Sequence, residues 1–556
     1  MGGSDAATLL PAVTDGSLNI LYMVLEDFRA LSMSAYCGSI SSPSRPCAST
    51  PRLDGLVKEG VLFEHAFAQS PICNPSRTSM MTGRYPSTTG VLSNDDSYIH
   101  AAGLPNLPRL LRRHARGRIV TCSPYSKVFH LPAAEASVTH QPWDRTWWNA
   151  TNWKAVPSDI MERLSKGAAP PKRVMRGPGY GHVKEDVYYH MAFRRTVAIL
   201  AALLAQSTPF FYGFGLSGTH VPLAPPKRFV DKYAAAADEL PLPPVHEPHG
   251  PLLARKDGFQ SYVLTPAQQR GYTATYLAAA EYVDAQVGAI LSLLQAFPAA
   301  SARTAVVVHA DHGFHLGEHG RWSKYTLYEE SVRVPLIVRV PGGLRGVRSA
   351  SIVELVDVLP TLLSLWGVGP SEQPPRLDGR SLVPLLTPRA GGTHPPSFRE
   401  RPHARSEMRH PMLLNDPAGR GSRWVCGEQH YLRTEHFSFT AYLHEARAVN
   451  TTLFGLDSDP HEQHNLVGLD QSAWPYSTLR TWARLTAAEQ TLWPSAEVAA
   501  RDERARRSGE PCGEYTGASG AGASGGGRAR KERKDRMQRH KLQKRRARRL
   551  QNRKFA

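Results

Sequence analysis

The stretch Leu18-Asn19-Ile20-Leu21-Tyr22-Met23-Val24-Leu25, closed by Glu26-Asp27, is apolar at almost every position. A half-buried strand alternates apolar and polar residues, so an unbroken run of this length reads as a strand covered on both faces, as in a parallel sheet. Pro209 to Leu216 and Thr304 to His309 have the same character. Each follows a predicted helix, at about Glu185 to Gln206 and from Thr265-Pro266 to about Gln295. Thr265 suits the N-cap of the second helix, and proline suits its first turn. Gly60 to Ala68 and Ile119 to Thr121 add strands, and Leu107 to His114 adds a helix. Cys73 opens a helix that Gly83 can end. Strands alternating with helices predict an α/β fold with helices on both faces of the sheet.

At 556 residues the chain exceeds one ordinary core, and 41% hydrophobic with 21% charged residues excludes wholesale disorder. Three parts are expected: a large α/β domain over 17–375, a smaller antiparallel domain over 376–499, and a Gly/Ser-rich linker with a basic, disordered tail over 500–556. Within the first, Ser351 to Trp366 reads as a helix. Eight prolines between Pro222 and Pro251 predict a loop without regular elements, a flap over the site. The second part shows short strand-like pieces (Arg423 to Val425, Gln429 to Arg433, Phe437 to Leu443), then Thr452 to Leu456 and a helix after Pro475. Arg376 to Leu386 reads as the connection.

Charge is concentrated at the end. From Arg528 onward fifteen Lys or Arg face two acids, +13 of the total +19, so the remainder carries only +6. Overall basicity is therefore no argument for a nucleic-acid enzyme; the tail can instead bind polyanions. The longest apolar run, Thr196 to Ala205, is half of the roughly 20 residues a bilayer crossing needs, so no transmembrane segment is expected. Met1 to Gly16 lacks the basic start and apolar core of a signal peptide, which literally predicts a cytoplasmic protein. Six scattered cysteines are too few for a disulfide-built fold. Asn149-Ala150-Thr151 and Asn450-Thr451-Thr452 are glycosylation sequons.

The chemistry-bearing residues sit beside these strands. Cys73 at a helix start is where positive partial charge lowers a thiol's pKa, with Arg77 one turn on. A lone cysteine there is more often a buried structural residue. Glu26-Asp27 and Asp311-His312 each follow an apolar strand, at the edge where α/β sheets bind ligands, and together can hold a hard divalent cation. His309, His312, His315 and His319 have zinc-like spacing, but Gly313, Gly317 and Gly320 make the segment a loop, and a four-histidine zinc site is not expected.

Cys73-Asn74-Pro75-Ser76-Arg77, followed by Thr82-Gly83-Arg84, resembles the signature of type I sulfatases. Five further strings agree in order: the two acidic pairs, Lys127-Val128-Phe129-His130, His220 in Thr219-His220-Val221-Pro222, and Lys324 at the end of Gly317-Glu318-His319-Gly320-Arg321-Trp322-Ser323-Lys324. The Lys-x-x-His spacing and the last string are similar to the iduronate-2-sulfatase branch, although Ser126 stands where that branch has Gly. The resemblance spans about Leu18 to Leu466, including Asp457-Ser458-Asp459-Pro460 and Asn465-Leu466.

The resemblance implies an alkaline-phosphatase-like sandwich, with a large mixed sheet flanked by helices and a smaller C-terminal antiparallel sheet. It implies a sulfuric ester hydrolase acting on sulfated sugars such as glycosaminoglycans. Cys73 would be converted to formylglycine by the formylglycine-generating enzyme, and its hydrate would attack sulfur. One divalent metal, Ca2+ in the family, would sit on Glu26, Asp27, Cys73, Asp311 and His312. Two aspartates usually form the first pair, and here Glu26 replaces the first of them. Arg77 and Lys127 would stabilise the nucleophile, Lys324 would bind sulfate, His220 would protonate the leaving group, and His130 would deprotonate the second hydroxyl. The family implies a lysosomal or extracellular location, against the literal N-terminus. Two other classes fit the pattern: a phosphatase or phosphodiesterase of the same superfamily, and a non-catalytic anion- or glycan-binding protein. Asn94-Asp95-Asp96 and the Pro222 to Pro251 segment are the expected selectivity elements.

Overall fold

In chain order the strands of the computed structural model are β1 (Asn19–Leu25), β2 (Val61–Phe67), β3 (Ile119–Cys122), β4 (Phe210–Leu216), β5 (Leu252–Leu253), β6 (Thr304–Ala310), β7 (His315–Leu316) and β8 (Trp322–Ser323). Then come β9 (Leu336–Arg339), β10 (Val347–Glu354), β11 (Ala404–Asn415), β12 (Ser422–Arg433), β13 (Phe437–His444) and β14 (Arg447–Gly455). The structure describes residues 17–37, 46–94, 96, 103–123, 126–130, 188–221, 223–243, 252–253, 264–388, 401–415, 422–468, 476–494 and 497–498. The Asn149 sequon and the tail lie outside them.

Seven strands form one mixed sheet in the order β10-β2-β9-β6-β1-β4-β3, and only β9 runs against its neighbours. Every residue of β1, β4 and β6 is buried, as their unbroken apolar runs require. The register sets up the site. Leu25 ends β1 beside Leu216 of β4 and Ala310 of β6, so the residues following all three strands emerge together at one carboxyl edge. The Pro266–Gln295 helix begins with a complete capping box between Thr265 and Gln268. It is the one described helix long and apolar enough to cross a membrane, yet its apolar window is 72% buried, as befits a core helix. A second sheet, β14-β13-β12-β11-β5, is antiparallel throughout, and the Tyr476–Leu492 helix follows it. This is the alkaline-phosphatase-like arrangement expected.

Three local expectations are corrected. The proline-rich segment holds a helix, Lys227–Ala234, and a short turn, Ala237–Glu239, because its prolines cluster on either side of Lys227 to Leu240. Pro226 occupies that helix's N-cap. Residues 222 and 244–251 lie outside the description. Ser351 to Glu354 is not helical but the end of β10, extended by pairing with β2; the helix is Val358–Leu365. The pieces at Arg423 to Val425 and Gln429 to Arg433 are one continuous strand, β12, paired along its whole length with β11.

Candidate active site

The Cys73–Thr82 helix is buried over its whole length and ends where Gly83 turns left-handed at φ 66°. Its first turn is held from outside. Asn94 Oδ1 accepts the Asn74 backbone N–H at 2.9 Å, and Asn74 Nδ2 donates to the carbonyls of Ser93 and Asp96. The Asp96 carboxylate accepts the N–H groups of Leu92 and Ser93 at 2.6 and 2.7 Å. Asn94 and Asp96 thus shape the turn over the helix start. Asp95 lies outside the described residues.

Cys73 Sγ is at the centre. Lys324 Nζ lies 3.1 Å away, His312 Nε2 3.3 Å and Asp27 Oδ1 4.0 Å. Lys324 Nζ also bonds both Asp27 oxygens at 2.9 Å. Its neighbours Ser323 and Tyr325 have φ 74° and 75°, and Asp27 has φ 56°; backbone strain of this kind costs about 1–3 kcal/mol each and survives only where surroundings enforce it. Here it points the ammonium at the carboxylate. Arg77, fully buried, donates Nε to Asp311 Oδ2 at 2.9 Å and Nη1 to the carbonyls of Lys127 and Val128 at 2.6 and 3.0 Å. Asp311 Oδ1 accepts the backbone N–H groups of Asp27 and His312. His312 Nδ1 lies 2.9 Å from the Gly313 carbonyl, which leaves Nε2 toward Cys73.

Glu26 faces the rim. Its carboxylate pairs with Lys127 Nζ and lies 3.7 Å from Arg77 and 3.9 Å from His220 Nε2. Lys127 reaches it because its loop passes against Gly215 of β4, where any side chain would strike the Lys127 carbonyl oxygen. Ser126 fixes that approach by accepting the Gly215 N–H at 3.1 Å. Glu26, Asp27, Cys73, Arg77, Lys127, His220, Asp311, His312 and Lys324 are thus brought together. Four more residues hold it that were given no role from the sequence: Ser76 on the Asp311 carbonyl, Thr219 on the Glu26 carbonyl, Tyr276 on the Asp27 carbonyl at 2.7 Å, and Asn74. Asn74, Ser76 and Thr219 lie within the motif strings, whereas no motif marks Tyr276.

The electrostatics follow. Burial alone would push the Cys73 thiol up, but Lys324, Lys127, His312 and His130 bring it well below its ordinary value. Burial likewise opposes ionisation of Glu26 and Asp311, yet Lys127, His220 and Arg77 hold Glu26 low, and Arg77 with His312 hold Asp311 low. Lys324 is raised well above its usual range, Asp27 and Cys73 outweighing its burial. Against burial and Lys324, the imidazole of His220 is raised to about 9 by Asp27, Cys73 and Glu26. Single ligand atoms from Asp27, Cys73, Asp311 and His312 lie within 4.8 Å of one another, as do those from Glu26, Asp27, Cys73 and His220. Carboxylate oxygens with one imidazole suit a divalent cation, so the donor set fits the metal expected here.

A family model described as Sulfatase matches residues 18–368. Human iduronate 2-sulfatase is 28% identical over 425 residues, covering 65% of this chain and 71% of its own. Human arylsulfatase K is 26% identical over 452 residues, covering 76% and 75%. Among solved structures, a phosphonate monoester hydrolase from Silicibacter pomeroyi superposes with TM-score 0.63 at 20% identity, covering 85% of this chain and 95% of its own. A protein solved with its substrate D-glucosamine-2-N,6-O-disulfate superposes with TM-score 0.59 at 20% identity, covering 85% and 98%. At these identities the solved structures speak for the fold.

Proposed function

The chain belongs to the sulfatase family, and on that premise we propose that it hydrolyses sulfate monoesters of sugars with Cys73, converted to formylglycine, as the attacking group. The observation that carries this reading is the buried Cys73 thiol at its helix start, between Lys324 and His312 and beside Asp27. Its Sγ marks where the converted side chain would place its oxygens. The 28% identity to human iduronate 2-sulfatase supports a sulfated glycosaminoglycan sugar as substrate.

A sulfate ester demands a nucleophile, cations for the sulfate oxygens, and an acid for the leaving oxygen. Lys324, buried and kept charged, would bind sulfate. Arg77 and Lys127 keep Asp311 and Glu26 ionised and add positive potential beside the nucleophile. His220, one-third exposed at the rim and protonated at neutral pH, would protonate the leaving oxygen. His130, which helps to lower the Cys73 thiol, would take the proton of the second hydroxyl. Asp27, Asp311 and His312, with Glu26 and Cys73 beside them, would hold a divalent ion, calcium by family resemblance. Such an ion supplies a Lewis acid that polarises a sulfate oxygen and favours an ionised hydroxyl.

We also assign the chain to the secretory pathway, where the formylglycine-generating enzyme acts. The Cys37–Cys47 disulfide supports an oxidising compartment. A cellular pool with both cysteines reduced counts against it. The basic tail would hold polyanionic substrate near the enzyme by charge.

The test is mass spectrometry of the tryptic peptide Glu59 to Arg77 from a host that converts sulfatase cysteines, with sulfate release measured on sulfated disaccharides. Formylglycine and sulfate release are expected. An unmodified thiol without turnover moves the reading to a non-catalytic anion binder, and hydrolysis of phosphate or phosphonate esters in preference to sulfates moves it to the phosphatase branch.

A further inference from the structure

A second buried cluster lies on the same loop as Lys324, and the chemistry above makes no use of it. His319, Glu330 and Glu462 bring one ligand atom each to within 4.8 Å of the others. They come from the Asp311 to Tyr325 loop, the short helix Glu329–Val332, and the turn after β14. His319 Nε2 lies 3.7 Å from Glu330 Oε2, with the two side chains 2% and 1% exposed. Neither ring nitrogen of His319 has a hydrogen-bond partner, and Glu462 Oε1 has none either.

The arrangement is held under strain. His319 and Glu462 both sit at left-handed φ, 56° and 53°, and the His319 ring is locked flat against Tyr328 at 3.9 Å between centroids. Asp27 shows the same kind of strain in the first site. Glu329 next door is served by Arg433 at 3.1 Å and Arg333 at 3.4 Å. Burial, with Glu330 and Glu329 nearby, pushes the Glu462 carboxyl up to about 8. Two buried carboxylates facing an imidazole with a free nitrogen form a cation site in all but the ion.

We infer that His319, Glu330 and Glu462 bind a structural divalent ion of the zinc class, which ties the loop carrying Lys324 to the segment after β14. One imidazole and two carboxylates are zinc ligands, and a tetrahedral ion would need these atoms about 3.4 Å apart, a small contraction of the present cluster. A cleft lined by Arg29, Glu318, His319, His461 and Gln463 opens onto His319 and gives an entry path and room for a water as fourth ligand. This is not the four-histidine site the sequence excludes: His309 bonds Tyr22, and His315 bonds Thr326. The inference stands apart from the sulfatase reading.

The full chain is stripped with chelator, saturated with Ca2+ so that the oxygen-rich site is filled, equilibrated with Zn2+, and freed of loose metal by gel filtration. Elemental analysis should find about one zinc per chain, and His319→Gln and Glu462→Gln should each lower it by about tenfold or more. No zinc in the wild-type chain overturns the inference and leaves a cluster that shares protons. Zinc retained equally by both variants also overturns it, because the ion then sits elsewhere. If the variants fail to fold, wild-type crystals decide: anomalous scattering at the zinc edge must peak between His319, Glu330 and Glu462, and a peak elsewhere or none sinks the idea.

Discussion

In the cluster around Cys73 each carboxylate faces a cation supplied by the chain: Lys324 on Asp27, Arg77 on Asp311 and Lys127 on Glu26. In the cluster around His319, eight residues after Asp311, Glu330 and Glu462 meet an imidazole instead. Both groups are buried and both hold residues at left-handed φ. The groups they gather separate them. His312 and His220 add to three fixed cations in the first, so it can receive an anion even before a metal binds. The second sets two carboxyl groups against an imidazole, a donor set for a cation. Another buried carboxylate, Asp284, has only backbone hydrogen-bond donors among the described residues, from Arg52 and Leu53 at the start of their helix.

The comparison makes Cys73 the position of largest effect on catalysis. Cys73→Ala should lower kcat/KM for a sulfate ester by about 10⁴-fold or more, the scale seen when a nucleophile is removed. The fold should survive, since its neighbours pair with one another without the sulfur. A residual rate within tenfold of wild type would mean that the first cluster binds anions without using Cys73.

Arg77→Leu tests the claim that the first cluster is internally neutralised. It leaves Asp311 buried without its guanidinium and frees the Lys127 and Val128 carbonyls, so the folded state should lose about 3–5 kcal/mol in denaturant unfolding. A loss below 1 kcal/mol would show that Asp311 is satisfied by its backbone donors alone, as Asp284 is.

Much of this was legible because it is encoded locally. Three uninterrupted apolar runs ending in Glu26-Asp27, Ser217 and Asp311-His312 announce parallel strands and place their following residues at one edge. Cys73 with Gly83, and Thr265 with Gln268, mark helices by their ends. What escaped depends on partners distant in sequence. Ser351 to Glu354 is extended only because β2 lies beside it, and β11 and β12 are long because each completes the other. Asn94 and Asp96 looked like free polar side chains until the fold put Asn74 beneath them. Glu462 lies 143 positions from His319, and no spacing rule joins them.

Asp284 supplies the pH test. Burial, only partly offset by the N–H groups of Leu53 and Arg52, raises its carboxyl from 3.8 to about 6. A folded-state pKa above the unfolded value contributes stability that is complete below pH 3.8 and lost as pH rises through 6. Asp284→Asn keeps an acceptor and removes the titration, so its stability relative to wild type should improve by about 2–3 kcal/mol between pH 4 and pH 7.5. Denaturant unfolding at the two pH values checks this, and an unchanged difference would mean that the helix start alone compensates the charge.

The smallest expected effect is at Tyr276, which joins the Asp27 turn to the long core helix. Its hydroxyl donates to the Asp27 carbonyl at 2.7 Å and accepts the Arg29 N–H at 2.9 Å. Asp27 holds φ 56° there, and Arg29 pairs with Glu318 at 2.8 Å on the loop that leads to His319. Tyr276→Phe removes both bonds without changing shape, at a cost of about 1 kcal/mol each. If the hydroxyl only stabilises the fold, unfolding registers the loss and the kinetics do not. If it positions Asp27 for Lys324 and the reacting centre, kcat should fall by about tenfold with KM little changed, because Asp27 touches the nucleophile and no part of the sugar. Arg29 and Glu318 line the cleft that opens onto His319, which would couple the two clusters. Filling the His319 site with zinc should therefore recover part of the lost kcat in Tyr276→Phe, and no recovery would mean that the clusters act independently.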